Sequence, residues 1–404
     1  MSLADGYEAF LLDLDGVLFR GDQRVPSAGP AVDALRAAGK RLVFLTNNSA
    51  RTPEQVAEKL RALGIAAELD EVVTSAQATA ELLAREATGR PASAYVIGQD
   101  GIRGALRDAG ITVLDGDAGA RSDFVVVGWD GTVTYEALRR ATVLVRGGAR
   151  LVATNADASY PAPGGELWPG AGAILAAVET ASGARATVVG KPNPPLIETA
   201  LTRAGTRDAL VVGDRIETDI AGAEATGLDA ALVLTGAGRA SELLDNDALP
   251  VAILRDVGGV LSEHPATRAR PATPRDIEGV RELTEAPATA PEWGPEGVWV
   301  MAGDGLRATA TVEVRSGEAY LRAVATREEL RGKGLGTLVV AAATRWSRSH
   351  GARDAWLLTE TAEGFFRGLG FETVDRTRVP EWIEAGPAGG CPAGAVAMRR
   401  ELPQ

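Results

Sequence analysis

Near its start the chain reads Leu11-Leu12-Asp13-Leu14-Asp15-Gly16-Val17, two acids alternating at the end of a short apolar run. Side chains two apart on a strand point the same way, so this spacing predicts Asp13 and Asp15 facing one small volume at a strand end. Carboxylates held that close either share a proton or gather round a cation. Three polar clusters follow in order: Thr46-Asn47-Asn48, Gly190-Lys191-Pro192, and Gly213-Asp214 with Asp219 five residues on. Magnesium wants hard oxygen ligands. Asp13, Asp214 and the backbone carbonyl of Asp15 can supply them, with Asp219 holding a metal-bound water from further out. One Asp13 oxygen then attacks phosphorus, and Asp15 protonates the leaving oxygen and later takes a proton from water. Thr46 and the Asn47 backbone hydrogen-bond the phosphoryl oxygens, and Lys191 offsets the repulsion between Asp13 and phosphate. Phosphate monoesters need rate enhancements of up to about 10²¹-fold, which is a reason for so many parts. Each cluster alone would more often be a turn or a helix cap; their order together argues for a site.

The elements that must position these residues are strands of a parallel sheet. Phe10 to Leu14, Arg41 to Leu45, Val72-Val73, Thr187 to Val189 and Ala209 to Val212 read as strands. Helices near 31–38, 52–63, 76–84, 195–203 and 219–226 alternate with them. Such alternation implies a doubly covered parallel sheet, whose strand ends share one ligand-binding edge. A second α/β block interrupts it, with strands at Ala94–Ile97, Phe124–Val127 and Arg150–Ala153 and helices near 102–109, 135–146 and 173–182. We read residues 90–186 as an inserted cap and 1–89 with 187–261 as the core. In the cap, Asn155-Ala156-Asp157 through Leu167-Trp168-Pro169-Gly170-Ala171-Gly172 forms a loop before a helix. Asn155 and Asp157 are candidate substrate contacts there; shaping the cap turn is an equal reading for Asp157 and the glycines. Trp168 reads as a packing residue.

Composition narrows the chemistry. The 404 residues carry a net charge of −12, with one cysteine, Cys391, and two histidines, His264 and His350. An acidic chain does not suit a broad nucleic-acid surface. A structural zinc site or an internal disulfide lacks its ligands, and both histidines read as solvated or partly packed. No leader and no apolar run of membrane length is visible, so the expectation is a cytoplasmic protein without a membrane partner.

Residues 262–274, rich in Pro, Arg, Ala and Thr, read as a linker. Beyond it, 275–404 changes character. Strands at Trp299–Met301, Arg307–Val314 and Glu318–Ala325 precede a Gly-rich turn, a helix at 335–349, a strand at Ala355–Leu358, a helix at 362–369 and a strand at Val396–Arg399. This is a separate α+β domain. Its turn, Arg331-Gly332-Lys333-Gly334-Leu335-Gly336, opens a helix, where free backbone amides suit a pyrophosphate.

The first constellation resembles the haloacid dehalogenase superfamily of phosphatases over residues 6–261, in particular the group with a large α/β cap between its second and third motifs. Val72-Val73-Thr74-Ser75-Ala76 and Thr154-Asn155-Ala156-Asp157 also match. The resemblance implies a Rossmann-like core, with Asp13 as nucleophile and Asp15 as acid and base. It implies magnesium on Asp13, Asp15 and Asp214, and phosphate on Thr46, Asn47 and Lys191. The C-terminal part resembles the GCN5-related N-acetyltransferase superfamily over residues 270–400. That resemblance implies acetyl-CoA on Val324, Arg331, Gly332, Lys333, Gly334 and Gly336. The stretch Arg378-Val379-Pro380 to Cys391-Pro392 resembles the branch with arsinothricin-type acetyltransferases. The departure is Phe366, where many members carry the tyrosine that protonates the leaving thiolate; Glu313 is a positional candidate for a base. The fusion is similar to glycerol 3-phosphate phosphatases. It implies a small phosphorylated metabolite as substrate, glycerol 3-phosphate first and 2-phosphoglycolate second. Cap-mediated dimers occur among the look-alikes, so a single chain and a homo-oligomer both stay open.

Overall fold

Runs such as Ala9-Phe10-Leu11-Leu12 and Ala209-Leu210-Val211-Val212 are apolar without interruption, the pattern of strands buried on both faces. They form the centre of a six-stranded sheet. Its strands are β1 (Ala9–Asp13), β2 (Arg41–Thr46), β3 (Val72–Thr74), β4 (Ala209–Gly213), β5 (Asp229–Val233) and β6 (Ala252–Leu254), in the order β6-β5-β4-β1-β2-β3. β1 pairs in parallel with β4 and with β2, in registers Leu12 to Val212 and Asp13 to Leu45. The computed structural model describes residues 2–114, 121–161, 166–264, 267–284, 297–303, 305–385 and 394–403. The Cys391-Pro392 ending and residues 162–165 of the cap loop lie outside these.

By contacts the chain separates into two compact units. One is Tyr7–Gly213 with Ala221–Asp229; the other is Met1–Gly6, Asp214–Ile220 and Ala230–Gln404. The first unit holds β1 to β4 and, besides them, a five-stranded parallel sheet. Its order is Thr187–Val188, Arg150–Ala153, Phe124–Val127, Ala92–Ile97, Ile111–Leu114. Helices Tyr135–Arg146 and Ala171–Ser182 cover one face, burying Leu144, Leu175 and Val178 against Val125, Val127 and Leu151. The second unit holds a seven-stranded sheet covered by helix Leu335–Ser349, on which Leu338, Val339, Ala342 and Ala343 are buried. The fold class is thus α/β with a further, mixed-sheet α+β domain.

The structure departs from the sequence reading at five places. Thr187–Val188, expected among the strands of the core sheet, instead pairs with Val152 and Ala153 as the edge of the five-stranded sheet. β1 ends at Asp13, one residue early, because Leu14 turns its carbonyl to accept from the N–H groups of Leu18 and Phe19. Asp15 therefore sits in a turn, bridged to Phe19, and strand alternation does not aim it. The helix expected from Asp219 begins instead as a wide turn at Ile216–Ile220 and becomes α-helical over Ala221–Ala225. Residues Arg270–Pro271, inside the stretch read as linker, pair with Val300 and Trp299 as an edge strand, a position that tolerates proline. The unexpected hairpin Ser159–Pro161 with Leu167–Pro169 is likewise proline-ended.

Candidate active site

The register of β1 on β4 sets Leu12 level with Val212, so Asp13 and, after Gly213, Asp214 follow at the carboxyl edge. Oxygens of Asp13, Asp214 and Asp219 lie within 4.8 Å of one another. Lys191 Nζ is 2.5 Å from Asp13 Oδ1, with the lysine side chain 3% and the aspartate 14% exposed. The Asn47 side chain fixes this lysine: its Oδ1 accepts from Lys191 N (2.8 Å) and its Nδ2 donates to Lys191 O (3.1 Å). Gly190 is required beside it, since a Cβ there would lie 2.6 Å from Thr154 O and 2.7 Å from Asn47 Oδ1. Thr46, buried at the end of β2, accepts from Asn48 N, and Ser75 Oγ donates to Asn47 O (2.6 Å).

The acid just after β4 is gripped by backbone. Ala237 N donates to Asp214 Oδ2 (2.7 Å) and Gly238 N to Asp214 O (2.9 Å). A Cβ on Gly236 would fall 1.9 Å from Asp214 Oδ2, so only glycine fits. Asp219 Oδ2 accepts from Arg215 N (3.0 Å). Sequence reasoning missed the 236–238 loop; the repeated glycines just after the apolar run 229–233 were the available signal.

Asp15 sits in the turn that follows β1. Loss of surrounding water raises its carboxyl above the ordinary value, against the pull of Lys59, Arg51 and Lys191. Lys59 and Arg51 escaped the sequence reading because they sit on a helix and in its preceding loop, away from any strand end.

From the cap side, Asp157 Oδ2 accepts from Asn155 Nδ2 (2.7 Å) and from Asn47 Nδ2 (3.3 Å). Thr154 Oγ1 donates to Ser49 Oγ (2.8 Å). The structure thus brings Asn155 and Asp157 to the Asn47–Lys191 clamp. Trp168 is 46% exposed, edge-on to Tyr160, with its Nε1 donating to Glu166; it does not pack into a core.

In the C-terminal sheet the parallel pairing of Glu318–Thr326 with Asp354–Thr359 stops after Tyr320 and Trp356, although both strands run on. Ala323, beside Val324, has φ +51°, and the register of its strand against Gly305–Arg315 shifts there, as at a bulge. The Arg331–Gly336 turn follows, with Gly334 at the N-cap of Leu335–Ser349. Lys333 Nζ donates to Glu263 O, and His264, buried, meets Lys333 O at 3.1 Å. Phe366 is 5% exposed between Phe365 and Phe371. Glu313 Oε1 accepts from Arg315 Nε (2.6 Å), with Arg322 at 3.7 Å from Oε2.

Comparison with known proteins fits this arrangement. The haloacid dehalogenase-like hydrolase model matches residues 10–112, a second model of the same kind matches 188–260, and the acetyltransferase (GNAT) family model matches 270–371. An acid sugar phosphatase of Staphylococcus haemolyticus is 38% identical over 259 residues, 64% of this chain and 96% of its own length. The chain belongs to the haloacid dehalogenase-like hydrolases. It carries a GNAT-family domain at its C-terminal end. A magnesium complex of a glycerol phosphate phosphatase from Mycobacterium tuberculosis superposes with TM-score 0.67 at 29% identity. That match covers 92% of this chain and 98% of the other. A p-nitrophenyl phosphatase from Archaeoglobus fulgidus matches at TM-score 0.59 and 30% identity, over 63% of this chain and 98% of its own.

As a haloacid dehalogenase-like enzyme the chain is a phosphoric monoester hydrolase, and its acids can be judged as a cation site. Three carboxylates crowded within 4.8 Å against one ammonium form an electronegative set of hard oxygens, which fits magnesium rather than a softer metal. Among the described residues no helix is long and apolar enough to cross a membrane.

Proposed function

We propose that this hydrolase is a magnesium-dependent phosphatase of a small phosphate monoester, with glycerol 3-phosphate the first choice and 2-phosphoglycolate the second. The observation that carries the reading is the Lys191 ammonium 2.5 Å from Asp13 Oδ1 beside Asp214 and Asp219. Asp13, the Asp15 carbonyl and Asp214 would hold the ion, with Asp219 behind it. Magnesium would supply positive charge against the phosphoryl oxygens and Asp13. An Asp13 oxygen attacks phosphorus as the bond to the leaving oxygen breaks, giving an aspartyl phosphate. Asp15 gives its proton to the leaving oxygen, then as carboxylate takes one from the water that frees phosphate. Lys191, Thr46 and the Asn47 backbone hold the phosphoryl oxygens, and Asn155 and Asp157 meet the rest of the ester from the cap. The named relatives support the substrate class. We take residues 1–89 and 187–261 as the catalytic core, 90–186 as its cap and 275–404 as the second domain, in a cytoplasmic protein. The test is phosphate release from both esters with and without magnesium, beside Asp13→Asn. Undiminished turnover in that variant refutes the mechanism.

A second reading concerns the GNAT domain: it binds acetyl-CoA at Val324 and Arg331–Gly336 and tunes the phosphatase without transferring acetyl groups. The burial of Phe366 among Phe365 and Phe371 favours it, since a phenyl ring has no proton for a leaving thiolate. Calorimetry of acetyl-CoA with the full chain should give heat of binding, and an amine panel should give no thiol release. No heat would remove the sensor; thiol release would make the chain bifunctional.

A further inference from the structure

Asp15 is followed by a small closed loop whose support comes from the helix Pro53–Ala62. Within the loop Gly16 N donates to Phe19 O (2.7 Å), Phe19 bridges back to Asp15, and Phe19 itself is 3% exposed. The hairpin that continues it pairs Phe19–Arg20 with Gln23–Arg24. The helix starts at a capping box on Thr52 and buries Val56, Ala57 and Leu60. It touches the loop at two places. Arg24 Nη1 donates to Gly64 O (3.0 Å), just past the helix end. Lys59, one turn earlier, lays its ammonium 4.0 Å from the centroid of the Phe19 ring.

Lys59 has a partner at the outer side, Asp22 Oδ1 at 4.0 Å, but Asp22 is fully exposed, and such pairs contribute little. The lysine side chain is only 21% exposed. A half-buried cation lodged on the aromatic face of the residue that bridges back to Asp15 is more than a solvated surface lysine.

We infer that Lys59 is a positioning residue for the phosphatase reaction: clamped on Phe19, it holds the Asp15–Phe19 loop so that the Asp15 carboxyl meets the leaving oxygen of the ester. The inference rests on the phosphatase reading above. In that step the phosphorus–oxygen bond breaks, the leaving oxygen takes the Asp15 proton, and Asp15 is left as carboxylate. An alkoxide needs that proton; p-nitrophenolate is stable enough to leave without it. A misplaced Asp15 therefore shows as a loss that depends on the leaving group.

The test compares kcat/KM of the full chain on glycerol 3-phosphate and on p-nitrophenyl phosphate, for wild type, Lys59→Met and Lys59→Arg. Lys59→Met should lose about 100-fold on the glycerol ester and no more than about threefold on the nitrophenyl ester, the lower range for a general acid. Lys59→Arg should restore the glycerol ester to within about fivefold of wild type, because a guanidinium also lies on aromatic faces. Phe19→Leu, which removes the ring but keeps an apolar plug, should show the same split and carries the test if Lys59→Met does not fold. Equal losses on both esters, or no loss on either, overturn the inference. A wild type inactive on both esters overturns the phosphatase reading instead.

Discussion

Replacing Lys191 with methionine should separate cation binding from turnover, moving them in opposite directions. In the wild type, one ammonium 2.5 Å from Asp13 Oδ1 stands against three carboxylates within 4.8 Å of one another. The variant leaves that cluster with a net charge of about −3 in place of −2. At an effective dielectric of about 20, two unit charges about 5 Å apart interact by roughly 3 kcal/mol. Without a divalent cation the variant should therefore lose stability, by about 3–5 kcal/mol as for other broken buried pairs. A doubly charged ion loses a repelling neighbour, so magnesium should bind at least about tenfold more tightly, 1.4 kcal/mol or more. Turnover should fall by about 10²–10³-fold, because the charge that offsets the phosphoryl oxygens is gone. Magnesium calorimetry, melting with and without magnesium, and phosphate release read the three quantities. Magnesium affinity that is unchanged or weaker in Lys191→Met would refute the electrostatic reasoning, whatever happens to turnover.

Other outcomes follow from single contacts. Gly236→Ala sets a methyl 1.9 Å from Asp214 Oδ2 and must displace that carboxylate; phosphate release should fall by about 100-fold, as for misplacements near 1 Å, and retained activity would deny Asp214 its place in the site. Asp157→Ala removes the carboxylate that accepts from Asn155 Nδ2 and Asn47 Nδ2 and should raise KM for the small ester more than it lowers kcat, read from a substrate titration. Asp276 is held far below the usual carboxylate range, chiefly by its paired hydrogen bonds with Arg270 and further by Thr273. Its stabilisation is complete above the ordinary carboxyl pKa and lost as pH falls toward the depressed folded one. Asp276→Asn should melt below wild type at neutral pH, with the gap narrowing only below about pH 4; a gap that does not change with pH would exclude the pair as its source.

The site's clusters were legible because each closes or follows an apolar run, and a parallel sheet gathers the ends of β1, β2 and β4 on one edge, while Lys191 follows Thr187–Val188 of the five-stranded sheet. Asp13, Asn47, Lys191 and Asp214 come from distant parts of the chain, yet the register of Leu12 on Val212 brings the ends of β1 and β4 together and a side-chain amide ties Asn47 to Lys191. Asp15 shows where such reasoning stops: alternation along a strand predicted its direction, but a turn begun at Leu14 sets it. Lys59 was invisible for a related reason. A lysine in Pro-Glu-Gln-Val-Ala-Glu-Lys reads as the polar side of an amphipathic helix, and only the fold brings Phe19 under its ammonium. Gly236 carried a signal that spacing could not interpret, since its need comes from the approach of Asp214. The short strands Ile111–Leu114 and Ala252–Leu254 hold too few residues for their period to stand out. Hairpin strands ending in Pro161 and Pro169 read as loop.

The central claim is that an Asp13 oxygen bonds to phosphorus. Acid-quenched enzyme, caught during turnover of glycerol 3-phosphate with magnesium and digested for mass spectrometry, should carry a phosphoryl group on the peptide containing Asp13. The same peptide from Asp13→Asn should carry none. A phosphoryl group on another residue, or one that persists in Asp13→Asn, would contradict the account.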